Sequence, residues 1–130
     1  MKLQSLFPHT APLNIVDGSG NQTGITFEMV GADSKQYREA AKKAARLVLG
    51  KDKEMSSDYD LIEKSTAALY AACILGWSGL DDDDGSALPY SQAKALEFMV
   101  TPELSFIREQ VEGFVFKRSE FFRPSTPAAV

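Results

Sequence analysis

The feature that most constrains this chain is an eleven-residue run at positions 67–77, Ala-Ala-Leu-Tyr-Ala-Ala-Cys-Ile-Leu-Gly-Trp, which carries no charge. A membrane span needs about 20 such residues, so the run is too short to cross a bilayer and has to be wrapped in protein. At helical spacing it continues a stripe made of Leu61, Ile62, Ser65, Leu69, Ala72 and Cys73. This predicts one helix from a cap at Ser57 or Asp58 to about Trp77. Its second half is apolar almost all round, which marks a central helix packed on several sides. Gly76 and Gly79 end it.

The flanking segments supply the wrapping. Leu13-Asn14-Ile15-Val16 is a short β-prone run. In the run at 25–30, Ile25, Phe27 and Met29 point one way, Thr26 and Glu28 the other. Turn formers at 17–22 separate the two, so a β-hairpin is expected. A lone hairpin is marginal in water and has to lean on helices or on another copy. Gly31 breaks the second strand, and Asp33 or Ser34 can cap a helix over 35–49 that stops at Gly50. Tyr37, Ala41, Ala44, Ala45 and Val48 give that helix an apolar face whose small residues admit a close neighbour. Residues 51–57 read as a polar loop.

Beyond the central helix, Leu80, four consecutive aspartates at 81–84 and Gly85 form the clearest loop in the chain. A short helix follows over about 91–98, capped by Ser91. Pro102, behind a Thr101 cap, opens a last helix over 102–121. Its stripe is Leu104, Ile107, Val111, Phe114, Val115, Arg118 and Phe121. Pro124 and Pro127 mark residues 123–130 as a flexible tail. The expected fold is mainly α with a small N-terminal β-hairpin (α+β), a four-helix compact single domain over residues 1–122.

Charge and cysteine usage narrow the function. The formal net charge is -4, whereas a nucleic-acid binder usually carries a basic stripe. The densest basic stretch, 35–46, is interrupted by Glu39 and reads as the solvated face of a helix. One cysteine, Cys73, cannot form an internal disulfide, which suits a cytosolic chain. The first ten residues lack an apolar run of signal-peptide length, and Pro8 interrupts what there is. No nucleic acid and no membrane are expected as partners.

The residues that could carry chemistry do not assemble into a motif. If Gly85 is placed sixth in a calcium loop, Leu80 falls first and Ser91 twelfth, and neither fits. A looser cation site at 81–84 stays open beside the reading of a solvated loop. His9 is the only histidine, beside Pro8 near the N-terminus, without an orienting partner in sequence. Cys73 lies in an apolar stretch, where a thiol behaves as a small hydrophobe. Gly18-Ser19-Gly20 lacks the lysine and following helix of a phosphate loop. One Cys and one His cannot make a zinc site. The expectation is therefore a protein that is not an enzyme and uses no cofactor. What remains is an aromatic surplus on the last helix. Phe116 falls about 200° from Phe114 at ~100° per residue, so one stripe cannot bury both. Either the core covers this helix on two sides, or Phe114, Phe116, Phe121 and Phe122 contribute to a protein interface.

Several local patterns, taken in order, resemble a known family. They are Gly31-Ala32-Asp33-Ser34 followed by Tyr37-Arg38; Gly76-Trp77-Ser78-Gly79-Leu80; Leu88-Pro89-Tyr90-Ser91 with Ala95-Leu96; Pro102 with Ile107 and Gln110; and the terminal Phe-rich helix. In this order they resemble the tail assembly chaperones of long-tailed bacteriophages, over about residues 27–122. The patterns themselves read as a cap, a sharp turn around Trp77 and a helix lead-in, which are structural roles. The resemblance implies a protein that binds the tape measure protein and helps recruit tail tube subunits. It also implies a homo-oligomer that acts in the host cytoplasm and is missing from the mature virion. The chain would be the short form of a pair, with the tube contact made mainly by a longer frameshifted form. Two other readings compete: a tail-completion or head–tail connector protein that stays in the particle, and a small cation-binding regulatory domain using the aspartate loop.

Overall fold

The computed structural model describes residues 2–49 and 59–122, with side chains left out at 47–49 and 59–61. The expected stop at Gly50, the loop at 51–57, the caps at Ser57 and Asp58 and the tail at 123–130 lie outside the described residues, as do the side chains of Val48 and Leu61.

Strands β1 (Ala11–Val16) and β2 (Gln22–Met29) form the expected hairpin, antiparallel, with Leu13 opposite Phe27 and Asn14 opposite Thr26. Its turn is held by Asp17, whose carboxylate accepts the amides of Ser19 and Asn21 at 2.8 and 3.0 Å. Alternation works as the sequence implies: Phe27 and Met29 are buried and Glu28 is exposed. Helix α1 (Lys35–Leu49) has the expected bounds. Ser34 is its cap, accepting the Tyr37 amide at 3.1 Å.

The central apolar run departs from expectation. Helix α2 (Tyr59–Ala71) stops early, Ala72 and Cys73 turn, and Ile74–Ser78 become strand β3. This strand pairs antiparallel with β2, making a three-stranded sheet in the order β1-β2-β3. Ile74 sits opposite Met29 and Trp77 opposite Phe27, although one pair is separated by three residues and the other by two. A bulge absorbs the extra residue and lets both Ile74 and Trp77 join the hydrophobic cluster. Ile and Trp favour strands, and Gly76 weakens a helix end. The fold is thus a small α+β domain whose strand content exceeds a hairpin.

Helix α3 (Gln92–Val100) is capped by Ser91, which accepts the Lys94 amide at 3.1 Å. Thr101 does not cap the next element; its hydroxyl turns back to the Glu97 carbonyl at 2.6 Å. Pro102 opens a 3-10 turn (Pro102–Leu104) that leads into α4 (Ser105–Val115). The chain breaks at Phe116 and Lys117 and resumes as a short α5 (Arg118–Phe121), so the expected helix over 102–121 is three pieces. One face of the sheet is polar, with Thr26 donating to Asn14 across the strands at 2.9 Å. The other meets α2, α3, α4 and α5 in one core that includes Ile15, Phe27, Met29, Ile74, Met99 and Val111. Helix α1 packs on α2 at the periphery.

Candidate protein-binding site

Two built features hold the helices against the sheet, and between them they leave an apolar hollow. The first feature is a clasp at the start of α1. Gly31 lies against the ring of Phe121: a Cβ there would sit 2.6 Å from Cδ2. The Ala32 amide donates to the Val115 carbonyl at 2.9 Å. Asp33 accepts two hydrogen bonds from the Arg118 guanidinium, at 2.8 and 3.0 Å, and these hold its carboxyl below the usual carboxylate range. Thus Gly31-Ala32-Asp33-Ser34 joins β2 and α1 to α4 and α5, with a separate task for each residue.

The second feature is Trp77. Its ring packs on Phe27, Tyr90 and Phe98, with centroids 5.9, 4.9 and 5.3 Å away. The indole N–H donates to the Leu88 carbonyl at 2.9 Å. Tyr90 donates its hydroxyl to the Ile74 carbonyl at 2.5 Å, and Gln92 bonds both groups. This anchors the aspartate loop to β3 and closes part of that strand's edge. Gly79 makes the corner: its φ is +76°, and a Cβ would fall 2.1 Å from the Gly24 carbonyl oxygen. At the other edge, Gln110 on α4 accepts the Val16 amide and donates to the Val16 carbonyl, both at 2.9 Å.

The hollow lies where the hairpin end of the sheet faces α3 and α4. It has a volume of about 210 Å³, with walls that include Ile15, Ile25, Phe27, Phe98, Leu104 and Phe106. The one polar side chain in its wall, Thr23, spends its hydroxyl on the Ile15 carbonyl at 2.8 Å. Ile25, Leu104 and Phe106 are half-buried. Such a lining is complementary to apolar side chains. It was not among the sites expected from sequence, because its walls come from segments some 90 positions apart.

The four phenylalanines expected at an interface divide. Phe114 and Phe121 are buried in the core and meet edge to face at 5.2 Å. The break after α4 swings Phe121 back over Gly31, so both fit inside. Of the four, these two lie inside the core of the single chain. Phe116 is 55% exposed, touched at one edge by Tyr37, and Phe122 is 40% exposed.

Burial pushes the Cys73 thiol up to about 12. His9 is exposed, and its backbone amide donates to the Phe121 carbonyl at 2.6 Å. In the aspartate loop, Asp82 accepts the amides of Asp84 and Ser86, both at 3.1 Å, and Asp84 accepts Ser86 at 2.8 Å. These carboxylates are turned onto the loop's own amides. Among the described residues no group of three or more His, Cys, Asp or Glu could hold a metal ion, and no helix is long and apolar enough to cross a membrane.

Comparison with protein families matches the YdaY prophage protein family over residues 32–120. The chain belongs to the YdaY prophage protein family. It is phage-related, as the sequence resemblance implied, and the matched segment contains α1 to α4, most of α5 and all of β3. Comparison with curated proteins and with solved structures gives no match. Within the family segment lie Trp77, Ser91 and Gln110, whose roles are those of anchor, cap and edge clasp. The hairpin side of the apolar hollow lies outside it.

Proposed function

We propose that this YdaY-family protein is a phage tail assembly chaperone: it binds apolar faces of the helical tape measure protein and helps recruit tail tube subunits. It acts in the host cytoplasm, leaves before the particle is complete, and works by binding rather than catalysis. The observation that carries the reading is the open hollow of about 210 Å³ walled by Ile25, Leu104 and Phe106. A knob of one or two apolar side chains fits such a hollow, as in helix-in-groove recognition. Many modest contacts of this kind along one long partner add up through avidity and stay individually reversible. The phage membership of the family supplies the context.

The test is co-expression with the tape measure protein of the same prophage. The wild-type chain should keep the partner soluble and elute with it. Phe106→Glu places a charge in the hollow's wall and should reduce the recovered complex at least about tenfold, the scale of an interface hot spot. Phe116→Ser and Phe122→Ser test the two exposed phenylalanines. A partner that stays insoluble with wild-type chain present would remove the chaperone reading. Recovery of the chain in purified particles would favour a structural tail component instead.

A further inference from the structure

A second copy of the chain fits a different pair of surfaces. The end of the N-terminal arm, residues 7–10, and α1 together line an open cleft of about 750 Å³. Phe7 and Pro8 form one wall, and Phe7 is 58% exposed. Lys35, Arg38 and Lys42 form the other. On a helix these three and Arg46 fall within about 80° of one another, and all four are exposed. Of the two acids in the cleft, Asp33 is taken by Arg118, leaving Glu39. The ion pairs among the described residues include none of Lys35, Arg38 and Lys42. Helix α1 carries five basic residues and one acid, a net of +4.

The aspartate loop is its counterpart in sign. It carries -4 over four residues. It is a hairpin-like turn, closed by a bridge between Asp81 and Ala87 and by the Leu88 amide on the Leu80 carbonyl at 2.8 Å. Asp81, Asp83 and Asp84 are exposed. The loop is already ordered, which lowers the entropy lost on docking. The loop and the start of α1 leave the sheet at opposite ends. Helix α1 follows the end of β2 where Met29 pairs with Ile74, whereas the loop follows Ser78, opposite Thr26, at the other end of the sheet. Five strand residues separate those ends by roughly 15 Å, beyond a Debye length of about 10 Å at 0.1 M salt.

We propose that the cleft between the N-terminal arm and α1 receives the aspartate loop of a second copy, so that the protein assembles head to tail. The two surfaces differ, so the contact is heterologous and each added copy presents a fresh cleft and a fresh loop. The association closes into a ring or grows as a chain. It uses neither the β1 edge, which Gln110 clasps at Val16, nor the apolar hollow, which stays open for a partner.

The test uses the full chain alone, so its failure and the failure of the chaperone reading are separable. Sedimentation velocity at about 50 mM and about 500 mM salt brackets strong and weak screening. Wild-type chain should form species beyond a dimer at low salt, and high salt should weaken association about tenfold or more. Reversal of the helix (Lys35→Glu, Arg38→Glu, Lys42→Glu) should give a monomer. So should reversal of the loop (Asp81→Lys, Asp83→Lys), which spares the two carboxylates that hold the loop together. Mixing the two variants should restore association, because each acidic surface again finds a basic one. Circular dichroism checks that both fold, and Lys42→Glu with Asp83→Lys alone repeats the cycle with one charge on each side. A wild-type monomer at low salt, association that survives either reversal, or a mixture that stays monomeric would overturn the proposal.

Discussion

Gly31→Ala separates two physical effects of opposite sign. In the absence of a clash, replacing Gly by Ala at an ordinary backbone conformation stabilises by about 0.4–1 kcal/mol, because the unfolded chain loses freedom. Here the new methyl would lie 2.6 Å from Phe121 Cδ2 and 2.8 Å from Cε2, against an ordinary contact of 3.4–4 Å. The ring must therefore retreat by at least about 0.8 Å. It has little room: Phe121 is 1% exposed, and Phe114 packs edge to face against it. Forcing a methyl into such a site costs about 1–3 kcal/mol. Releasing α5 instead would lose the burial of Phe121, about 1.5–3 kcal/mol. Both routes exceed the entropic gain and leave a net loss of about 1–2 kcal/mol. For a domain of this size that lowers Tm by about 4–10 °C. Thermal melts by circular dichroism or calorimetry give the number. The double variant Gly31→Ala with Phe121→Leu should cost less than the sum of its parts by about 1 kcal/mol, since a smaller side chain makes room. A Tm that stays level or rises on Gly31→Ala would refute the clasp, as would strict additivity in the double variant.

Two further changes test the same framework. Ser65 is 6% exposed, and its hydroxyl has no hydrogen-bond partner among the described residues. Ser65→Ala removes a buried orphan and adds helix propensity, so it should stabilise by about 1 kcal/mol, read as a Tm rise of a few degrees; a fall means that the hydroxyl has a partner. Asp33 has its folded carboxyl held below the ordinary value by the Arg118 hydrogen bonds. Its contribution is therefore full above the unfolded carboxylate pKa and is lost as pH falls through the lower folded value. Asp33→Asn should lower Tm at neutral pH, and the gap from wild type should close in acid; a gap independent of pH would mean that charge plays no part.

What could be read from sequence was whatever is coded locally. The hairpin showed because Ile25, Phe27 and Met29 alternate and Asp17 is a turn former. Helix α1 showed because Ser34 caps it. Strand β3 did not show, because Ile74 and Trp77 are three apart, a helical spacing, and only the bulge opposite β2 lets both join the core. The break in the last helix carries no Pro or Gly at 116 or 117 to mark it, although Phe116 pointing away from the stripe held its consequence. Asp33 was legible as a cap and serves as an ion pair instead, because its partner lies 85 positions away. The hollow was invisible for the same reason: alternation on β2 announces a buried face and says nothing of what covers it.

The family segment and the folding unit do not coincide, and the difference can be tested. Residues 32–120 include β3 but not β2, the strand that β3 pairs with. A fragment of residues 32–122 would leave Ile74 and Trp77 without Met29 and Phe27 across from them, and their backbone groups without a ladder. It would also strip Ala11, Ile15 and Val30 from the core and release Phe121 from Gly31. Burying a large side chain stabilises by about 1.5–3 kcal/mol, and Ile15, Phe27 and Met29 are each 1% exposed or less. Their loss alone removes roughly 5–9 kcal/mol, comparable to the whole stability of a small domain. The fragment should therefore keep helical circular dichroism at best, without a cooperative melt or dispersed amide resonances. A fragment that melts cooperatively within a few degrees of the full chain would mean that the helices form a core of their own, with the hairpin an accessory laid upon it. The hollow would then be a seam between two separable units, and Ile25→Asp should abolish partner binding without lowering Tm. If the hairpin is integral, the same change should lower both, because one wall of the site is also part of the core.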